Sequence, residues 1–366
     1  MRPTWFSVDL DAVAHNVRAF RDLVAPAEVC TVVKADGYGH GAPAVARAAL
    51  GAGATWLAVA LVEEAAELRD SGLAAPILVL SEPRPTEMAD VAGLGGVRPT
   101  LYTQAGVDAY GSVAGVGSPV HLKVDTGMHR VGVRADEAVA VSERILDSGL
   151  ELEGVFSHCA VADEPGDPLT TVQVERFEAV LADLATHGIE PPIVHLANTA
   201  TALTRPEAGH SMVRIGLGAY GVSPGPELAD RCRQLGLRQA ITVHSRVVHL
   251  QNIAAGEGVG YGHRWTSARE TRLATVPVGY ADGLARAWGM GGAALVGGRR
   301  RPLRGVVSMD SLVIEVDEAV AVGDEVVLLG AQGDETIEVA EVSEVVGQIP
   351  WEVLSRLGRR PPRLYT

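Results

Sequence analysis

A lysine stands at the end of an apolar run in the segment VVKADGYGHG, residues 32–41. The preceding β-branched residues, among them Val29, Val32 and Val33, predict a buried strand that ends at Lys34. A buried lysine must pair with an acid, lose its charge or be used covalently. A lysine whose pKa is lowered by burial can form a Schiff base with an aldehyde. The residues of this segment alone also allow a structural ion pair.

Other reactive side chains occupy the same kind of position along the first part of the chain. Eight short β-branched runs, from VCTVVK at residue 29 to SMVRIGL at residue 217, alternate with alanine-rich helical patterns. Eight strand–helix units of this length predict a (β/α)8 barrel, an α/β fold with parallel strands. Chemistry in such barrels collects where the strands end. The predicted strand ends and the loops after them carry Lys34, Asp125, Arg130, His158, Asn198 and Arg214.

An anion site is predicted beside the last two barrel strands. Gly216, Leu217 and Gly218 follow the eighth run at a turn, where backbone N–H groups can face a phosphate. Asn198 and Thr199 follow the seventh run, and Thr199 adds a hydroxyl to the same corner. The same glycines are also typical of a tight turn without a ligand.

The pattern changes after about residue 232. Runs such as QAITVHSRVVHLQ, TRLATVPVGY and RGVVSMDSLVIEV alternate with Gly/Asp turns and predict a β-rich domain. We therefore expect the barrel over residues 12–232 and the β-rich domain over residues 233–366. We expect residues 1–11 to form a strand that packs with the β-rich domain.

Composition restricts the class of protein. The 366 residues are 47% hydrophobic and carry a net charge of −14, which argues against nucleic-acid binding. No run is long and apolar enough to span a membrane, and no secretory signal is evident. Cys30, Cys159 and Cys232 are odd in number and widely spaced, so neither a disulfide framework nor a metal knuckle is predicted. These features together predict a cytoplasmic protein.

Two other kinds of site are not supported by the spacing of residues. The glycine-rich stretches GAGAT and GLGAYG lack the GxGxxG spacing and the following acid of a dinucleotide fold. His195 and His210 lie apart in the sequence, so no metal site is predicted.

Eight blocks of sequence between residues 32 and 312 resemble the successive signatures of alanine racemases, and the resemblance covers the chain from about residue 5 to residue 364. They occur in the family's order as VVKADGYGHG, KVDTGMHRVG, SHCAVAD, HLANTATAL, MVRIGLGAYG, GEGVGYGHRW, VGYADGLAR and SMDSL. The resemblance implies a fold-type III enzyme that uses pyridoxal 5'-phosphate. It also implies a barrel, a C-terminal β-domain and a head-to-tail homodimer with shared active sites.

The resemblance assigns the cofactor contacts. Lys34 matches the family's Schiff-base lysine, Arg214 the arginine that meets the pyridine nitrogen, and His158 the hydrogen-bonded neighbour of that arginine. The phosphate-binding residues are matched by Tyr38, Thr199, Gly216 and Leu217, and we place Asn198 in the same corner. Because a guanidinium cannot accept the ring proton, the pyridine nitrogen stays neutral, which favours racemisation over transamination.

Racemisation needs an acid or base on each face of the α-carbon. Lys34, once substrate has displaced it from the cofactor, can serve one face. The resemblance assigns the other face to Tyr261, acting across the dimer interface. Without the resemblance, Tyr261 would be interpreted as a packed or loop tyrosine.

A second arginine and a second lysine of the barrel also match functional residues of the alanine racemase family. Arg130 matches the arginine that contacts the phenolic oxygen of the cofactor and the substrate carboxylate. Lys123 matches a lysine that some family members carry as a carbamate, whose negative charge could hold Arg130. The residues alone allow the simpler alternative that Lys123 pairs with Asp125 or another acid.

The substrate mouth is matched in the β-rich domain. Met309 and Asp310 match a family segment at the mouth of the substrate site, where the backbone N–H of Met309 would meet the substrate carboxylate. Tyr280 matches a residue that lines the entrance to that site. The sequence departs from the family at two places. Ser308 replaces a frequent cysteine, and Arg359 stands where some members have a phosphate-contacting tyrosine.

These observations together predict a cytoplasmic homodimer that interconverts L- and D-alanine by a two-base Lys/Tyr mechanism and supplies D-alanine for peptidoglycan. The alternatives are a racemase of another small amino acid such as serine and another fold-type III enzyme, such as a decarboxylase or aldolase. A non-catalytic cofactor-binding protein is a further alternative, but it would need neither Tyr261 nor a second domain.

Overall fold

A computed structural model describes residues 2–366, which fall into two compact units. The barrel unit contains residues 13–37 and 42–238. The β unit contains the residues up to 12, together with residues 38–41 and 239–366. Within the described residues, no helix combines the length and apolarity that crossing a membrane requires.

The chain begins with strand β1 (Trp5–Val8) and helix α1 (Leu10–Val24). The barrel strands follow as β2 (Glu28–Val32), β3 (Trp56–Val59), β4 (Ile77–Val79), β5 (Val97–Leu101), β6 (Pro119–Asp125), β7 (Val133–Arg134), β8 (Glu151–Phe156), β9 (Ile193–His195) and β10 (Met212–Ile215). All residues of β3 and β4 are buried, as expected of parallel strands covered on both faces.

Eight of these strands form one parallel sheet in the order β10-β2-β3-β4-β5-β6-β8-β9, and the short β7 pairs with β6. Backbone hydrogen bonds also join the two ends of this sheet. The N–H of Ser211 donates to the carbonyl of Val194 at 3.1 Å, and that of Arg214 to the carbonyl of Ala197 at 3.0 Å. The predicted (β/α)8 barrel is therefore confirmed, and each predicted run supplies one of its strands.

The helices of the barrel unit connect successive strands. They are α2 (Ala42–Gly51), α3 (Val62–Asp70), α4 (Met88–Gly93), α5 (Gln104–Gly111), α6 (Ala138–Asp147), α7 (Leu169–Thr186), α8 (Thr199–Thr204) and α9 (Ala229–Gln234). In α7 the buried residues Gln173, Phe177, Val180 and Leu184 recur at helical spacing and form one core-facing stripe.

The β unit is built from mainly antiparallel strands and two helices. The strands are β11 (Ile241–Arg246), β12 (His249–Ile253), β13 (Gly258–Val259), β14 (Trp265–Thr266), β15 (Thr271–Val276), β16 (Ala293–Val296), β17 (Arg299–Pro302), β18 (Leu312–Val316), β19 (Glu325–Gln332), β20 (Glu335–Ile337) and β21 (Arg363–Tyr365). The helices are α10 (Val339–Val346) and α11 (Pro350–Ser355).

The main sheet of the β unit has the order β17-β16-β19-β11-β1-β21, with β20 on β19. Strand β1 pairs antiparallel with β11 and parallel with β21. A second sheet, β12-β15-β18, and the β13-β14 hairpin complete the unit. Buried and partly exposed residues alternate along β11 and β18, as in a sheet with one face on a core.

Candidate active site

The turn after β2 has an unusual backbone. Ala35, Asp36, Gly37 and Tyr38 have φ values of 52°, 54°, 61° and 50°, so the chain makes a left-handed turn directly after Lys34. Left-handed backbone costs roughly 1–2 kcal/mol for each residue other than glycine. Such strain persists only where the surroundings enforce it, commonly at functional sites.

Three hydrogen bonds hold this turn in the barrel unit. Ala35 N–H donates to Oε1 of Glu64 at 2.6 Å, and Gly37 N–H donates to the carbonyl of Val33 at 2.8 Å. Ala42 N–H donates to Oδ1 of Asp36 at 3.1 Å. Glu64 also accepts from the N–H groups after β3, so one carboxylate ties the turn to the neighbouring loop. Sequence analysis did not identify Glu64, because its role depends on contacts between separate loops.

Four cationic side chains influence one another at this end of the barrel. Burial, and then the positive charge of Arg130, lower the pKa of Lys34. Burial, and then the charges of Arg214 and Arg130, lower the pKa of Lys123 to about 8. Among the described residues Asp125 forms no ion pair with Lys123. Its Oδ1 accepts from the N–H groups of the following loop, and its Oδ2 lies 3.5 Å from Nδ1 of His129. A cluster so rich in positive charge is suited to receive an anion.

Arg130 lies in the loop after β6, and its side chain is exposed. Among residues 2–366 its guanidinium has no carboxylate partner. Arg130 is therefore available to an anionic group brought by a ligand.

Arg214, on β10, is only 3% exposed, and both of its terminal nitrogens donate hydrogen bonds to the barrel. Its Nη1 donates to Nδ1 and the carbonyl of His195 at 2.7 and 3.1 Å. The two N–H groups of Nη2 are shared among three acceptors, the carbonyls of Ser157 and Leu196 at 2.8 and 3.0 Å and Nδ1 of His158 at 3.1 Å. A guanidinium has five N–H donors. The Nε–H is the one that has no acceptor within the described chain.

The hydrogen bond to Arg214 also fixes the protonation of His158. Because arginine can only donate, Nδ1 of His158 must accept, and a neutral ring then carries its proton on Nε2. Burial, and then the charge of Arg214, hold the pKa of His158 well below its ordinary value, so the ring is neutral at pH 7.

The predicted anion corner is assembled around Thr199. Its Oγ1 accepts from the N–H of Gly216 at 3.0 Å and of Gly218 at 3.4 Å. Both lone pairs of the hydroxyl are thereby used, which leaves its O–H to donate. A Cβ at Gly218 would lie 2.6 Å from Cζ of Phe20 and 2.8 Å from Cγ2 of Thr199, so only glycine fits there.

The other predicted residues of this corner have different surroundings. Asn198 caps α8, since its Oδ1 accepts from the N–H of Thr201 at 2.9 Å. Leu217 is buried and begins a short turn of helix after Gly216. Tyr38, the last residue of the left-handed turn, is also buried.

Tyr261 lies in the β unit, in the loop between β13 and β14. It is 69% exposed, and the glycines on either side, Gly260 and Gly262, have φ values of 69° and 70°. The glycines allow the backbone to turn sharply on both sides of the tyrosine. Its hydroxyl is therefore presented rather than packed.

The Met309 segment, also in the β unit, is held by its carbonyl oxygens. Tyr280 N–H donates to the carbonyl of Ser308 and Ala281 N–H to that of Met309, each at 3.0 Å. In a trans peptide the N–H points opposite to the preceding carbonyl, so the N–H groups of Met309 and Asp310 face away from this turn. Neither has an acceptor within the described residues.

Side chains around this segment support it. The carboxylate of Asp310 accepts from Arg360 at 2.8 Å. The fully buried Asp282 accepts from the N–H of Gly279 at 2.9 Å and forms an ion pair with Arg2. Arg359, the position at which the sequence departs from the family, is exposed between α11 and β21.

The chain is similar to alanine racemases in both units. A family model described as the alanine racemase N-terminal domain matches residues 8–224, and one described as the C-terminal domain matches residues 240–365. The alanine racemase of Symbiobacterium thermophilum is 44% identical over 373 residues, covering 100% of this chain and 97% of that protein. That of Thermobifida fusca is 41% identical over 369 residues, covering 98% and 97%.

Solved structures give the same result. The alanine racemase from Streptomyces coelicolor A3(2) superposes with a TM-score of 0.94 at 34% identity, covering 100% of this chain and 98% of that chain. The enzyme from the D-cycloserine producer Streptomyces lavendulae superposes with a TM-score of 0.92 at 36% identity, covering 100% and 97%. The chain therefore belongs to the alanine racemase family.

Proposed function

We propose that this protein catalyses the pyridoxal 5'-phosphate-dependent interconversion of L-alanine and D-alanine. The observation that carries the proposal is the environment of Arg214, a buried guanidinium with four N–H groups bound to the barrel and Nε–H left over. Such a donor suits a neutral ring nitrogen, which can accept a hydrogen bond from the guanidinium but cannot remove its proton. Membership of the alanine racemase family supports the same reaction.

The residues present fit the cofactor. Lys34 would join its aldehyde carbon, and Arg214 Nε–H would meet its ring nitrogen. The O–H of Thr199, the backbone at Gly216 and Leu217, and the hydroxyl of Tyr38 would hold its phosphate, with Asn198 shaping the same corner. Bound pyridoxal phosphate would supply an electron-withdrawing ring that makes the α-proton of an amino acid acidic.

Lys34 and Tyr261 would move the α-proton, one on each face. The lowered pKa of Lys34 increases the fraction of neutral amine, which is the form that accepts a proton. Tyr261 would act in a homodimer in which each barrel receives the partner's Tyr261. Its exposure between two glycines suits such a role.

Charged and backbone groups would hold the substrate carboxylate. Arg130 offers an unpaired guanidinium, and Met309 offers a backbone N–H without an acceptor. Tyr280 and Asp310 would shape the mouth of the site beside Met309. A substrate as small as alanine needs few other contacts.

Lys123 would stabilise this arrangement as a carbamate. With a pKa of about 8, a substantial fraction of its amine is neutral near pH 7.5 and can react with carbon dioxide. The resulting anion would replace one cation of the cluster and attract Arg130. No carboxylate of the described chain already pairs with Lys123.

The physiological role would be the supply of D-alanine for peptidoglycan in the cytoplasm. A racemase of serine or another small amino acid is the alternative for the same machinery. A non-catalytic cofactor-binding protein is disfavoured, because it would not need Tyr261 presented on a glycine-flanked loop.

The test is α-proton exchange. The protein, loaded with pyridoxal phosphate, is incubated in D2O with L-alanine, L-serine and larger L-amino acids. Loss of the α-proton is followed by NMR, and the D-enantiomer by chiral chromatography. Fastest exchange with alanine, together with accumulation of D-alanine, is expected. Faster exchange of serine would assign the alternative substrate, and no exchange with cofactor bound would refute a racemase.

A further inference from the structure

A continuous row of buried side chains runs from Arg214 through the interior of the barrel. Nη1 of Arg214 lies 2.7 Å from Nδ1 of His195, and Nε2 of His195 lies 2.9 Å from Nδ1 of His121. Nε2 of His121 lies 3.3 Å from Oε2 of Glu153, which also accepts from Nε of Arg98 at 2.9 Å. Both imidazoles are fully buried, so water does not interrupt the row.

Only one arrangement of protons gives every hydrogen bond in the row one donor and one acceptor. Arg214 can only donate, so Nδ1 of His195 accepts and its proton lies on Nε2. That proton can be given only to Nδ1 of His121, so the proton of His121 also lies on its Nε2. It is then donated to the carboxylate of Glu153. Every hydrogen bond therefore points from Arg214 towards Glu153.

The electrostatics of the groups agree with this arrangement. Burial lowers the pKa of both imidazoles, so neither is charged at pH 7. Although burial alone would raise it, hydrogen bonds from His121 and Arg98 lower the pKa of Glu153 to about 2. The carboxylate is thus an acceptor at every working pH.

The packing shows that the barrel makes room for this row. A Cβ at Gly154 would lie 2.5 Å from Cε1 of His121, although the backbone of Gly154 does not require glycine. The ring of His195 stacks on Phe156 with centroids 4.6 Å apart and planes 9° apart. The guanidinium of Arg214 lies over the same ring, 5.2 Å from its centroid.

We infer that Glu153, acting through His121 and His195, is a positioning residue that keeps the Arg214 guanidinium aimed at the cofactor ring. If the terminal acceptor were absent, His121 could carry its proton on Nδ1 and donate to His195. His195 would then present Nδ1–H to Arg214, and two donors would meet. The guanidinium would have to rotate, and the direction of its Nε–H would change.

The first test needs no activity. Histidine-labelled protein without cofactor is studied by two-dimensional ¹H–¹⁵N NMR, with His121→Gln and His195→Gln variants to assign the ring signals. Both rings are expected to be neutral with the proton on Nε2. A proton on Nδ1 of either ring, or a doubly protonated ring at pH 7, would overturn the inference. This result does not depend on the proposed reaction.

The second test uses Glu153→Leu, with Glu151→Leu on the same strand as the matched control, since the Glu151 side chain is exposed. Glu153→Leu is expected to give mixed tautomers at His195, while the control keeps the single tautomer. The kinetic part rests on the proposed function. In the loaded enzyme, kcat is expected to fall about three- to ten-fold, as for one lost hydrogen bond. KM for alanine should stay constant, because Arg130 and Met309 lie outside the row.

The outcomes separate the two proposals. If Glu153→Leu matches Glu151→Leu in both tautomers and kcat, Glu153 has no positioning role. If the unsubstituted protein shows the expected tautomers but no racemisation, the proposed reaction fails while the proton arrangement stands. If Glu153→Leu does not fold, the NMR measurement on the unsubstituted protein still tests the proton arrangement on which the inference depends.

Discussion

Gly279→Ala should damage the proposed substrate-binding segment at Met309 while leaving the barrel unit intact. A Cβ at this position would lie 2.5 Å from the carbonyl carbon of Met309, against an ordinary contact distance of at least 3.4 Å. The φ of Gly279 is −149°, so an alanine backbone is permitted and only space is at issue. The Met309 segment must therefore move by about 1 Å, and such a displacement of a substrate-positioning group can lower the rate by about 100-fold.

The variant is compared with Gly166→Ala, where a Cβ would meet nothing within 4 Å. We expect kcat/KM for alanine to fall by about 100-fold and the unfolding free energy by about 1–3 kcal/mol, as for other overpacked sites. The affinity for pyridoxal phosphate, measured by titration, should stay within about two-fold of the control, because an altered carboxylate contact changes substrate binding. If kcat/KM and stability both equal those of Gly166→Ala, the tight contact at Met309 is not part of the site.

Three further predictions concern the predicted site residues. Thr199→Val removes a hydroxyl donor and leaves two backbone N–H groups unpaired, so the dissociation constant for pyridoxal phosphate should rise at least about ten-fold. Thr199→Ser should retain the affinity of the unsubstituted protein. Equal affinities of the two variants in a titration would contradict a role of Thr199 in phosphate binding. Tyr261→Phe should keep the absorbance of bound cofactor and reduce racemisation by about 100-fold or more, and unchanged turnover would rule out Tyr261 as a base. Between pH 8 and about 10.5 the unfolded chain binds a proton at Lys123 that the native state has lost. The unfolding free energy of the cofactor-free protein in CO2-free buffer should therefore rise with pH relative to that of Lys123→Met. If denaturant titrations show the same pH dependence of unfolding free energy for both proteins, the lowered pKa of Lys123 is disproved.

The barrel was predictable because its strands carry a strong local signal. Strands buried on both faces read as continuous apolar runs, as in TWLAVA and PILVL, and glycines mark the ends of the helices between them. The two-residue strand β7 has no such signal and was not predicted. The chain passes from the barrel unit to the β unit between residues 238 and 239, a few residues after the change of sequence pattern near residue 232.

The chemistry of single residues was less predictable than their positions. Lys34 was expected to be the end of a buried strand, but a left-handed turn of four residues was not expected, since alanine, as at Ala35, normally avoids positive φ and aspartate, as at Asp36, adopts it only occasionally. The row from Arg214 to Glu153 joins four strands that are far apart in sequence. His195 and His121 could be associated only after the parallel order of these strands was known.

The position of β1 has a consequence for synthesis of the chain. Its partners are β11, residues 241–246, and β21, residues 363–365, so both are made long after the strand itself. Until then its backbone donors and acceptors must stay in water or be shielded by a chaperone, because an unpaired strand invites association with other chains. The barrel unit ends at residue 238, so all its strands leave the ribosome before β11. Delayed pairing of β1 should therefore make the β unit the last part of the protein to fold on the ribosome.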